Sequence, residues 1–93
     1  MSAPDPVALL LLTAFRHTVS EPNVEAGCAR IQELAGQPIA AEDVHTALAA
    51  CLRDGLIREP VRIPEGALQC HWRLELTPAG VVAARALSQP SGA

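Results

Sequence analysis

The sequence predicts an α+β domain that is mainly helical: a three-helix core, a two-stranded hairpin and a closing C-terminal helix. Three observations lead there. Apolar residues recur at helical spacing in two segments separated by Gly36, Gln37 and Pro38. From Ile57 to Leu76 the spacing changes to period-two alternation on either side of a Pro64-Glu65-Gly66 turn. Leu76-Thr77-Pro78-Ala79-Gly80 then opens a last apolar helical run.

Residues 1–4 read as a loose tail, residues 5–87 as a single domain and residues 88–93 as a second tail. Asp5 is expected to cap the first helix. Pro6 follows in the first turn, where its missing N–H has no partner to lose. This helix runs to about Thr18. Val7 to Leu12, Ala14 and Phe15 leave it almost no polar face, so it is expected to be covered on both sides. The domain core would cover one side and a second copy of the chain the other.

Ser20 to Asn23 has the composition of a turn, with Asn23 as N-cap of a second helix from Val24 to Ala35. Its inner residues are Val24, Cys28, Ile31 and Leu34, and Gly36 fits the left-handed residue that ends a helix. A third helix spans about Ala41 to Asp54. Its inner face is Val44, Ala47, Leu48, Cys51 and Leu52, and Gly55 stops it.

In the hairpin, Ile57, Val61 and Ile63 are expected inward and Arg58 and Arg62 outward. On the partner strand Leu68, Cys70, Trp72, Leu74 and Leu76 face in, and Gln69, His71, Arg73 and Glu75 face out. Pro60 and Pro64 confine the first strand to an edge or a bulge. Thr77 and Pro78 make a cap and first-turn pair for the fourth helix, which carries Val81, Val82, Ala84 and Leu87.

Composition narrows the function classes. Of 93 residues, 49% are hydrophobic and 18% charged, enough to bury one core and too apolar for a disordered chain. The net charge of −3 does not by itself favour nucleic acid, so DNA binding needs a local basic patch. All seven basic residues are arginine. Cys28, Cys51 and Cys70 are an odd number without metal or redox spacing, which suits a reducing compartment and a cytoplasmic protein. All three fall on inward faces, where cysteine acts as a small hydrophobe; a redox switch needs an exposed, low-pKa thiol. The apolar run from Val7 to Phe15 is shorter than the roughly 20 residues of a membrane span. His17, His45 and His71 lack metal spacing, and no triad, phosphate-cradling loop or paired carboxylates stand out. An enzyme is not expected, nor a cofactor.

Ala47-Leu48 through Leu52 with Asp54-Gly55-Leu56-Ile57, then Trp72-Arg73-Leu74, then Leu76-Thr77-Pro78-Ala79-Gly80 resemble the winged helix-turn-helix superfamily of bacterial regulators, especially its MarR-like and PadR-like branches. The resemblance covers about three quarters of the chain. It implies a homodimeric transcription regulator that binds double-stranded DNA, with the third helix in the major groove and the hairpin as a wing on the backbone. The dimer would form through the first helix, with the fourth as a second contributor. Carried over by position, His45, Thr46 and Arg53 on the third helix and Arg58, Arg62, His71 and Arg73 on the wing are the candidate DNA contacts. Glu42 and Asp43 depart from the pattern. They sit at the positive end of the third helix, where they satisfy its dipole and repel phosphate. A winged helix used for protein interaction or assembly is the alternative they motivate.

Overall fold

The computed structural model describes residues 5–62 and 71–88. The expected turn at 64–66, the inward placement of Ile63, Leu68 and Cys70, the outward one of Gln69 and both terminal tails except Ser88 lie outside the described residues. Four helices and an antiparallel sheet follow one another as α1 (Pro6–Arg16), β1 (Val19–Glu21), α2 (Val24–Leu34), α3 (Ala41–Arg53), β2 (Val61–Arg62), β3 (His71–Leu74) and α4 (Pro78–Ser88).

Local signals set the helix ends. The Val7 N–H donates to Asp5 Oδ1 at 3.0 Å and the Ala26 N–H to Asn23 Oδ1 at 2.8 Å, so both expected caps form. Gly36 and Gly55 take positive φ, at 76° and 72°. After α3, the Leu56 N–H reaches Cys51 O at 2.8 Å and the Gly55 N–H reaches Leu52 O at 3.2 Å, the paired bonds that close a helix around a left-handed glycine. The fourth helix continues through Ser88, one residue beyond the expected boundary.

The sheet order is β1-β3-β2. Its first strand corrects the reading of Ser20–Asn23 as a turn. Val19, Ser20 and Glu21 pair with Leu74, Arg73 and Trp72, and only Pro22 and Asn23 remain to turn the chain. Short β2 is an edge strand, as Pro60 requires, and Val61 and Arg62 pair with Trp72 and His71. The same register extends to a bridge between Ile57 and Leu76.

The core lies between the four helices and the inner face of the sheet, with Ala84 of α4 fully buried in it. Leu10, Leu11, Val19, Cys28, Ile31, Val44, Cys51, Ile57, Trp72 and Leu74 meet there. Three residues expected inside are half-exposed instead. Val24 sits in the first turn of α2, Leu52 in the last turn of α3 and Val61 on the edge strand β2, each at the margin of its element.

Helix α1 packs against α3 and also against α4. Leu9, Leu10 and Leu11 are all buried within one chain, so α4 takes much of the face expected to meet a second copy. Among the described residues of α1 and α4, the exposed large apolar side chains are Phe15, Val82 and Leu87, with Val82 the most exposed at 68%.

Two glycines permit close approach. A Cβ on Gly27 would stand 2.3 Å from Cε3 of Trp72, so α2 can lie on the indole only because that position is bare. On Gly80 it would meet the Leu56 carbonyl oxygen. Thr77 joins the same region. Its hydroxyl donates to Gly55 O at 2.6 Å and accepts from the Gly80 N–H at 3.1 Å, capping α4 while holding the end of α3.

Candidate nucleic-acid interface

Alternation along β3 gives the sheet a buried face and an open one. Trp72 and Leu74 turn into the core while His71 and Arg73 point outward. Register then decides what joins them. Arg62 pairs with His71 and Ser20 with Arg73, and the Arg58 N–H donates to Glu75 O at 3.0 Å. Basic residues that lie 15 positions apart in sequence are thereby brought to one small ribbon.

The charges on this ribbon are partly matched. Arg73 Nε lies 3.2 Å from Glu75 Oε1 and Arg58 Nε lies 3.9 Å from Oε2 of the same carboxylate. The guanidinium groups of Arg58 and Arg73 thus both flank the Glu75 carboxylate. All three side chains are substantially solvated, so the attraction is weak, on the order of 0–1 kcal/mol per pair. His71 Nε2 is hydrogen-bonded to Ser20 Oγ. That partner belongs to the strand read as a turn, and a lone serine in a three-residue segment carries no sequence signal for it.

Helix α3 presents the second group of candidates. His45, Thr46 and Arg53 are all exposed. Each already has a contact within the chain. Thr46 Oγ1 donates back to Glu42 O at 2.9 Å, a local bond that competes with any outside acceptor. Arg53 Nε pairs with Asp54 at 3.2 Å. His45 Nε2 lies 3.7 Å from Cys28 Sγ, which turns that edge of the ring toward α2. At the N-terminus of α3, Ala40 provides no side-chain cap and Glu42 and Asp43 occupy the first turn. The positive end of this helix therefore faces its own carboxylates.

Beside the arginine pair, Phe15, His17 and Thr18 from the end of α1, Arg73 and Glu75 from the sheet side and Val81 from α4 border an open groove of about 290 Å³. The helical pattern of α1 held no hint of it, because the groove exists only where three separate elements end.

The cysteines behave as their inward placement suggests. Cys28 and Cys51 are free and buried. Burial pushes the Cys28 thiol up. Burial, reinforced by Asp54 and Asp5, pushes Cys51 up to about 11. Both remain protonated near neutral pH. Cys70 lies outside the described residues. Among the described residues no helix is long and apolar enough to cross a membrane.

Compared with known proteins, the chain matches no family model, no curated protein and no solved structure.

Proposed function

We propose that the chain is a winged helix-turn-helix protein that binds double-stranded DNA as a homodimer and regulates transcription in the cytoplasm. In this reading α2 and α3 form the helix-turn-helix, β2 and β3 form the stem of the wing, and α4 closes the unit. The order of elements supports it, as does β1 inserted between the first two helices and paired with the wing stem. The observation that carries the DNA reading is the open face of the sheet, where Arg58, His71 and Arg73 are exposed together and Arg62 stands opposite His71. Solvated guanidinium groups exchange a carboxylate for phosphate at small cost, since both partners are already in water. The dimer contact falls on α1 and α4 through Phe15, Val82 and Leu87.

The test is fluorescence anisotropy on duplex DNA from upstream of the gene, titrated with salt. Wild type is compared with the Arg58→Ala/Arg62→Ala/Arg73→Ala variant. A dimer that neutralises about six phosphates gives a log–log slope near −5, and the variant gives a much shallower one. Absence of binding at low salt, on this and on random duplex, rejects the proposal.

A second reading is a winged helix that docks a protein. The acids in the first turn of α3 favour it, because Glu42 and Asp43 present negative charge where a duplex would approach. Neutralising both with Gln and Asn separates the two. The change strengthens DNA binding under the first reading and weakens partner capture under the second.

A further inference from the structure

The run from Ile57 to Arg62 lies along β3 in one register, and no described strand stands beyond it. Its hydrogen bonds decide which backbone groups face away from β3. The Arg58 N–H donates to Glu75 O at 3.0 Å and Pro60 O accepts from the Arg73 N–H at 2.9 Å, so residues 58 and 60 bond inward. By antiparallel alternation, the N–H and C=O groups of Glu59 and Val61 face the outer edge. Proline often blunts such an edge, yet the donor that Pro60 lacks would have pointed at β3. We propose that this edge takes up an extended segment of a partner protein as a further strand, with an apolar side chain on one face of that segment and acidic side chains on the other. The inference does not rest on the DNA reading, because a duplex would meet the open face of the sheet and a strand adds along its edge.

The side chains beside the edge define the partner's chemistry. Val61 lies opposite buried Trp72 and is itself 48% exposed. With Pro22, Val24 and the indole it walls a cleft of about 170 Å³. A residue paired with Val61 would enter that cleft, which suits a valine or leucine. Glu59 precedes Val61 on the same face and is exposed, so the apolar requirement is confined to the level of Val61.

On the other face the exposed residue of this run is Arg58. Arg73 holds Glu75 at 3.2 Å, whereas Arg58 approaches the same carboxylate only to 3.9 Å. Arg58 is therefore the cation that an incoming carboxylate engages, and exposed His71 and Arg73 on the neighbouring strand share its face. Backbone bonds hold the added segment, and its alternate side chains select it.

The test uses a short synthetic peptide of alternating valine and glutamate with blocked ends, titrated into the full chain. Trp72 is the chain's one tryptophan and lines the cleft, so binding should shift its emission to the blue. N-methylation of the peptide backbone leaves the protein untouched and should weaken binding about tenfold or more, and so should replacement of its glutamates by lysine. Val61→Pro removes an outward N–H and no bond to β3; with helical content checked by circular dichroism, it should abolish the response. No emission shift with the valine–glutamate peptide, equal binding of the N-methylated or lysine peptide, or unchanged binding by Val61→Pro would each overturn the proposal. So would a complex of two chains that Val61→Pro breaks and the peptide does not, which would give the edge to a second copy.

Discussion

Replacing Gly27 with alanine probes how tightly the sheet is held against α2. The added methyl carbon would lie 2.3, 2.4 and 2.8 Å from Cε3, Cζ3 and Cδ2 of Trp72. None of these separations can be accommodated, so either the indole tilts or α2 lifts from β3. Trp72 is 3% exposed and paired through its backbone to both β1 and β2, so it has little freedom to retreat. Overpacking of this kind costs about 1–3 kcal/mol. Alanine returns up to about 1 kcal/mol through its better helix propensity. With the steric clash at the upper end of its range, the net loss is about 1–2 kcal/mol. For a domain of this size that lowers Tm by about 5–15 °C. The chain contains one tryptophan, so the perturbed residue is its own reporter. A melt followed by its fluorescence should show the lower midpoint together with a red-shifted native emission. An unchanged midpoint with unchanged emission would refute the packing described for α2 and β3.

Four further outcomes are expected. Gly80→Ala should destabilise more than Gly27→Ala, since its methyl would meet the backbone oxygen of Leu56, which cannot rotate away; urea midpoints of the two variants check the order. Thr77→Val removes a helix cap and a bond to Gly55 O, and should cost about 1–2 kcal/mol by the same assay. Cys51 binds its proton more tightly folded than unfolded. Stability should therefore be intact below about pH 9 and fall as pH rises toward 11, by about 2–3 kcal/mol; Cys51→Ala should flatten that decline, and equal slopes would refute the burial effect. Glu75→Gln should change stability by less than about 1 kcal/mol, yet steepen the salt dependence of DNA binding, because two arginines lose their carboxylate.

Much of this architecture is legible in local chemistry. Asp5, Asn23 and Thr77 cap helices with their own side chains, and Gly36 and Gly55 provide a backbone state that few other residues tolerate. Alternation from His71 to Leu74 needs no partner to be read, because the pleat assigns each side chain to a face. What escapes such reading depends on distant residues. Val19–Glu21 is too short for a period, and it is a strand only because β3, some fifty positions later, pairs with it. The apolar girth of α1 announces two covered faces without naming the cover, and α4 supplies much of what a second copy was expected to provide. Gly27 is an unremarked helix residue until Trp72 lies on it. At the candidate site, the exposure of His71, Arg73 and Arg58 follows from alternation. Their ties to Ser20 and Glu75 do not, since both depend on register across the sheet.

The double role of Thr77 has a mechanical consequence. One hydroxyl is bonded to the carbonyl that follows α3 and to the N–H that begins α4, so the two helices meet at a stiff elbow. A tilt of α3 therefore strains this hydroxyl's bonds unless α4 turns with it. Val82 and Leu87 are carried on α4, so two of the exposed apolar side chains sit on the helix that this bond ties to the end of α3.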